Sequence, residues 1–284
     1  MIISGKELSA KLIGKMAEQV ATFLERFGRV PHLVVVRVGE DPASVIYVRN
    51  KAKACEAVGI KNTTIVKDES ISEEELLALI KELNADESVD GVLVQLPLPK
   101  QISEAKVIET IDKNKDVDGF HPLNVAGLWQ KTPHMEPCTP KGIMLLLKEA
   151  GIDPKGKRAV VIGRSNIVGL PVAKMLLDAN ATVTQCHTRT VDMPSVTRQA
   201  EILIVAAGCA KMITGDMVSD GVVVIDVGMD RDPETGKLCG DVDFVSVAPK
   251  AAAITPVPGG VGPMTITCLM ENTIECFLNK MNKK

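Results

Sequence analysis

The chain has 284 residues, 45% of them hydrophobic, 24% charged and 2% aromatic, with a net charge of -3. Acidic and basic residues are interspersed, and Trp129 and Tyr47 are the single representatives of their types, so neither a basic field nor a stacking platform for nucleic acid is present. The length suffices for two domains of ordinary size, and no apolar run approaches the ~20 residues of a membrane span.

Seven cysteines (55, 138, 186, 209, 239, 268 and 276) stand singly, without C-x-x-C or a zinc-like Cys/His spacing. They read as reduced thiols of a cytoplasmic protein with no metal site. The N-terminus turns polar within four residues and lacks a signal-peptide core.

Apolar residues at helical spacing from 4 to 27 (Leu8, Leu12, Met16, Val20, Phe23, Leu24, Phe27) predict one helix stopped by Gly28. Leu33 to Val38 reads as a buried strand ending at Gly39, followed by a helix from about Ser44 to Ala57 that Gly59 closes. Ile65 and Val66 suggest a short strand. Ser72-Glu73-Glu74-Glu75 is a capping box opening a helix to Leu83, and Val89 to Leu96 is a further apolar strand. This alternation implies a parallel sheet covered on both faces.

Residues 97–140 are rich in turn formers, with one helical run at Ala105–Ile111, and the domain junction is placed at their end. Thr139-Pro140 reads as an N-cap with proline at the first helical position, opening a helix to Ala150. Beyond it the spacing predicts strands at 158–162, 182–186, 202–206, 222–227 and 252–255, and helices at 169–180 and 194–200. A last helix opens at Gly262-Pro263, with Ile266, Leu269, Met270, Ile274 and Phe277 at its apolar positions, and is expected to return to the first domain.

Strand 158–162 ends in Gly163-Arg164-Ser165-Asn166-Ile167-Val168-Gly169, a turn at which free amides of a helix N-terminus offer a seat for a pyrophosphate. The spacing is not G-x-G-x-x-G, and a purely structural turn is the competing reading. The next strand ends in Cys186-His187-Thr188-Arg189-Thr190, with no acid before Asp192. An acid there favours NAD, whereas Arg189, Thr188 and Arg164 suit the extra phosphate of NADP. Arg189 as a plain solvated cation is the alternative. Ala207-Gly208 and Asp226 to Met229 lie where strands end, the usual ligand edge of a parallel sheet. The loop from Pro256 to Pro263, stiff and poor in side chains, suits a wall for a flat ligand or a rigid linker; Pro258 and Gly259 lie at its centre.

In the first half, Tyr47 and Lys51 are four apart and share a helix face. A lysine beside a phenol in a water-poor cleft is tuned for proton transfer, and a solvated helix lysine is the competing reading. Gln95 is the lone polar residue at the end of the strand 92–96, and a buried amide there needs a partner such as Lys51 or a ligand. Asp116 and Asp118 flank a turn before Gly119, where aspartate is most often only a turn former. His121, followed by proline, reads as structural.

Tyr47-x-x-x-Lys51, Gly91 to Pro99, Lys115 to Phe120, Pro137 to Gly142, Gly163 to Gly169 and Thr255 to Thr265 occur in this order, and over nearly the whole chain the sequence resembles the bifunctional methylenetetrahydrofolate dehydrogenase/methenyltetrahydrofolate cyclohydrolase family. The resemblance implies an α/β protein of two domains. One is an N-terminal catalytic domain with a parallel sheet, 1–138 plus the helix 264–284. The other is a Rossmann-like NADP-binding domain, 139–263, with the active site in the cleft between them. It implies Lys51 as the catalytic lysine, Tyr47 stacked on the folate, Gln95 bonded to the lysine, Asp118 holding the pterin, and Pro258 and Gly259 at the substrate. Cofactor positions are Gly163, Arg164, Ser165, Ile167, Thr188, Arg189, Ala207, Gly208 and Met229. Serine is commoner where Thr188 stands and isoleucine where Met229 stands; hydroxyl and apolar contact are each preserved. A homodimer joined through the cofactor domains is also implied. A monofunctional dehydrogenase and a non-catalytic NADP-binding sensor are the rival readings.

Overall fold

A computed structural model describes residues 1–232 and 234–282. The chain divides into two compact units, one formed by Lys11–Cys138 with Ile266–Lys284 and the other by Met1–Ala10 with Thr139–Thr265. Elements α1 (Gly5–Ala21) and α2 (Phe23–Phe27) replace the single helix expected over 4–27. The Thr22 hydroxyl bonds back to the Gln19 carbonyl at 2.8 Å, a local competitor of the helical ladder. Gly28, at φ +71°, then ends α2 in the left-handed region where L side chains are disfavoured.

The first unit continues with β1 (His32–Val38), α3 (Pro42–Val58), β2 (Lys61–Lys67), α4 (Glu73–Ala85), β3 (Gly91–Val94), α5 (Glu104–Thr110) and α6 (Pro122–Trp129). The three strands form a parallel sheet in the order β2-β1-β3, with every residue of the central β1 buried. The expected two-residue strand at Ile65–Val66 is thus a seven-residue edge strand. The strand expected over 89–96 shortens to β3, although Gln95 N still donates to Val36 O before Pro97 removes the next donor. The capping box of α4 is formed, Ser72 accepting from Glu75 N and Glu75 from Ser72 N, a device contributing about 1 kcal/mol. Helix α6 escaped the periodicity reading. It is short, opened by Pro122, and capped by the His121 imidazole, which accepts from Leu123 N at 3.1 Å.

Val34, Val36, Val38, Val92 and Val94 of the sheet pack against Leu76, Ile80 and Leu83 of α4. A second cluster stacks Phe23 on Phe277 at 5.2 Å; Arg29 covers Phe277 at 4.8 Å and clamps buried Asp90 through two bonds of 2.6 and 2.7 Å.

The second unit holds α7 (Cys138–Glu149), β4 (Arg158–Ile162), α8 (Gly169–Asp178), β5 (Thr182–Cys186), α9 (Met193–Thr197), β6 (Ile202–Val205), β7 (Val223–Asp226), the hairpin β8 (Asp230–Arg231) with β9 (Leu238–Cys239), α10 (Phe244–Val247), β10 (Ala253–Ile254) and most of the N-terminal turn of α11 (Val261–Met281). Its five-stranded sheet is wholly parallel, in the order β10-β7-β6-β4-β5. Thr139 lies inside α7 rather than capping it, and its hydroxyl pairs with that of Thr265 at 2.9 Å. Among the described residues no helix is long and apolar enough to cross a membrane.

The first ten residues belong to this second unit. Ile3 N donates to Ile254 O at 2.9 Å and Lys6 N to Gly259 O at 3.0 Å. Contact is so close at Gly5 that a Cβ there would lie 1.7 Å from Gly260 O.

Candidate active site

Asp41 caps α3 by accepting from Ser44 N at 2.7 Å, and Pro42 occupies its first turn. The helix so placed carries Tyr47 and Lys51 one turn apart, both half-buried, while Arg49, Asn50 and Lys53 are exposed. Burial pushes the Tyr47 phenol above its ordinary range. Lys51 is no solvated helix lysine: its Nζ donates to Gln95 Oε1 at 2.9 Å. Gln95 in turn donates from Nε2 to Leu96 O at 2.7 Å. The amide nitrogen is therefore committed to backbone, which obliges the amide oxygen to face the lysine.

The structure separates the two aspartates that the turn motif left equivalent. Asp116 accepts from Gly119 N at 3.1 Å, His121 N at 2.8 Å and Asn124 Nδ2 at 2.8 Å, and so shapes the turn. Asp118 is part-buried, and burial pushes its carboxyl up to about 6; the Lys51 ammonium opposes the rise and Asp116 adds to it. Lys51 and Asp118 thus sense each other within one unit.

Because the folded carboxyl titrates above its unfolded counterpart, the native state binds more protons across the window from about 4 to about 6, and stability falls as pH rises through it. Asp118→Asn is expected to be more stable than wild type near pH ~7.5 by on the order of 1–3 kcal/mol, with the gain gone near pH ~4. Urea titrations at both pH values read this, and a pH-independent difference would contradict it.

Lys115, buried beside this turn, is not a second catalytic amine. Its Nζ donates to Leu83 O, Asn84 O and Asp86 O at 2.9, 2.8 and 2.7 Å and closes the C-terminal end of α4.

In the second unit the predicted cofactor residues gather at the carboxyl ends of β4, β5, β6 and β7, the ligand edge of such a sheet. Gly163 has φ +105°, and a Cβ on it would lie 2.0 Å from Ala206 O. Gly169 opens α8 where a Cβ would lie 2.2 Å from Gly163 O, so the turn closes only with glycine at both places. Ser165 Oγ accepts from Val168 N and Gly169 N at 3.2 and 3.3 Å. Arg164, Ser165 and Ile167 are exposed on the turn, as are Thr188 and Arg189 beyond β5. The next acid, Asp192, caps α9 through Ser195 N. Two guanidiniums and a hydroxyl without a competing carboxylate fit a dinucleotide bearing an extra ribose phosphate.

Ala207 and Gly208 lie beyond β6, and Met229 beyond β7 is 45% exposed with its methyl against Gly262. Pro258 and Gly259 belong to this unit as well, on the loop that the N-terminal residues clip.

Sequence reasoning placed Asp226 at a strand end but missed the carboxylates that join it beneath these turns, Asp230 and Asp241. Burial pushes the Asp226 carboxyl up to about 7, even though backbone N–H groups of Val242, Gly228 and Asp241 bond to it. Burial and a hydrogen bond with Asp241 raise Asp230 to about 6. Asp241 itself is fully buried and receives the amides of residues 207 to 209. In the sequence, Gly240-Asp241 carries no signal beyond that of an ordinary turn.

Residues 3–118 match the family model described as tetrahydrofolate dehydrogenase/cyclohydrolase, catalytic domain, and residues 137–281 match that of its NAD(P)-binding domain. The "Bifunctional protein FolD" of Streptococcus pneumoniae is 56% identical over 283 residues, covering 100% of this chain and 99% of its own. A crystal structure of the bifunctional FolD methylenetetrahydrofolate dehydrogenase/cyclohydrolase from Campylobacter jejuni superposes with a TM-score of 0.95 at 52% identity, covering 98% of this chain and 99% of that one. The Trypanosoma brucei methylenetetrahydrofolate dehydrogenase-cyclohydrolase, solved with NADP and an inhibitor, gives a TM-score of 0.94 at 37% identity, over 98% and 97% of the two chains.

Proposed function

The chain belongs to the tetrahydrofolate dehydrogenase/cyclohydrolase family, and from that premise we propose how its residues carry the two successive reactions of a bifunctional enzyme. The protein oxidises 5,10-methylenetetrahydrofolate to 5,10-methenyltetrahydrofolate with NADP and hydrolyses that product to 10-formyltetrahydrofolate. The observation that carries the residue assignment is the 2.9 Å bond from Lys51 Nζ to Gln95 Oε1, in the unit that also holds Tyr47 and Asp118.

Loss of hydride from a carbon between two nitrogens leaves a cation shared by both, so the first step asks for position rather than for an acid or base. Bound NADP supplies the hydride acceptor. Arg164, Ser165, Thr188 and Arg189 seat its phosphates, and Gly163, Ile167, Ala207, Gly208 and Met229 line its path. Asp118 accepts N–H groups of the pterin, Tyr47 covers the ring and Lys51 orients the reacting carbon.

The second step adds water to the cation and opens the ring, which requires a proton to leave the water and another to reach a ring nitrogen. Lys51 performs this transfer. One of its N–H groups is fixed on Gln95 Oε1, so the remaining valences of Nζ point away from Gln95 in a defined orientation.

A coupled assay with methylenetetrahydrofolate and NADP tests the reading by following NADPH and then 10-formyltetrahydrofolate. Both products are expected. NADPH with accumulating methenyltetrahydrofolate identifies a monofunctional dehydrogenase, and neither product identifies an NADP-binding sensor.

The proposal includes a homodimer joined through the dinucleotide unit, as the resemblance to the family implies. Sedimentation at the mass of a single chain would refute it. A cytoplasmic location is proposed as well, supported by seven cysteines that all stand as free thiols; cell fractionation reads it.

A further inference from the structure

The turn after β6 is held from beneath by a carboxylate. Asp241 Oδ2 accepts from Ala207 N at 2.6 Å and Gly208 N at 3.2 Å, and Oδ1 accepts from Cys209 N at 2.7 Å. Asp241 is 0% exposed, and these amides, together with its hydrogen bond to the Asp230 carboxyl, replace its lost water. Asp226, at the end of β7, holds Asp241 in place by accepting from Asp241 N and from Gly228 N, each at 3.0 Å. The turn after β7 is bare for the same reason, since a Cβ on Gly228 would lie 2.3 Å from Asp241 N.

The direction of these bonds decides what the turn offers to a ligand. The peptides from 206 to 209 are trans, and a trans peptide sets its carbonyl opposite its N–H. With three successive N–H groups directed at Asp241, the preceding carbonyls point away from it. That of Ala206 packs at Gly163. Those of Ala207 and Gly208 remain, and Gly208 is exposed. The turn therefore shows acceptors, unlike the turn at Arg164-Ser165, and suits an N–H donor rather than a phosphate.

We propose that Asp241 is a positioning residue that turns the Ala207 and Gly208 carbonyls toward the dinucleotide, where they accept the amide N–H of the nicotinamide carboxamide. The inference rests on NADP binding in this unit. Asp241→Asn places an amide NH2 against backbone N–H groups and releases the turn.

The test compares kcat/KM for NADP with that for its 3-acetylpyridine analogue, which lacks the carboxamide N–H, in the wild type and in Asp241→Asn. The wild-type preference for NADP is expected to fall at least fivefold in the variant, mainly through KM, with cyclohydrolase kcat within twofold. Dividing by the wild type cancels the analogue's different reduction potential. Gly228→Ala displaces the same carboxylate without altering its charge and is expected to give the same loss. An unchanged preference in either folded variant overturns the proposal, as does failure of both variants to fold, which makes Asp241 a structural staple alone. Absence of NADP-dependent oxidation in the wild type overturns instead the functional reading beneath it.

Discussion

Lys51→Met is expected to abolish the hydrolysis of methenyltetrahydrofolate while the protein remains folded. Methionine matches lysine in length and helix propensity, and the site on α3 is half-buried, so the stem keeps its packing. What disappears is the ammonium and its bond to Gln95. Leaving Gln95 Oε1 without that donor costs about 1–3 kcal/mol, well below the stability of a chain this size. The removed proton transfer is worth ~10²–10⁴ in rate. Hydride removal needs no proton carrier, so dehydrogenase activity falls less, by the loss of orientation alone. Separate initial rates for the two half-reactions, with a thermal midpoint, check this; full retention of both activities would refute the role of Lys51.

Gly163→Ala is expected to remove NADP binding and to lower stability sharply. At φ +105° an alanine is strained by roughly 1–3 kcal/mol. The added carbon would also stand 2.0 Å from Ala206 O, a backbone atom fixed by the bond from Ala206 N to Ile162 O, so no side chain can move aside. Overpacking adds another ~1–3 kcal/mol. Gly221→Ala is the control. Its φ is also positive, at +83°, but its Cβ would meet open space and it is not among the cofactor residues, so only the strain remains. Thermal midpoints and NADP titration of both variants decide the matter, and a Gly163→Ala protein with wild-type midpoint and affinity would show that the turn tolerates a side chain.

Strands are most legible where an apolar or β-branched run meets a clear stop. The limits of β4 and β5 agree with the sequence reading, because apolar or β-branched runs there end at glycine or at a polar turn. What failed was decided by single bonds or by distance along the chain. Nothing in the periodicity of residues 4–27 announces that the Thr22 hydroxyl will bond backwards. Nothing in Met1 to Ala10 reveals a hydrogen-bond partner at Ile254, and β8 and β9 are too short to carry a period.

The same division applies to the candidate site. Tyr47 and Lys51 are visible as a helical spacing, and Gln95 as a lone polar residue in a buried run. Asp116 and Asp118 look alike in sequence because both shortly precede the same glycine. Only the three donors on Asp116 reveal which carboxylate shapes the turn. Asp241 lies far along the chain from the turn it holds, and that pairing exists only in three dimensions.

The N-terminal ten residues close onto a unit completed at Thr265, and the other unit waits for residues from Ile266 onward. Vectorial synthesis therefore finishes neither unit early. At a translation rate of about 5–20 residues per second, roughly 250 residues must follow Phe23 before Phe277 exists to stack on it, and Ile3 waits as long for Ile254. Both contacts therefore stay open for on the order of 10–50 seconds while the ribosome advances, exposing apolar surface that each unit later buries.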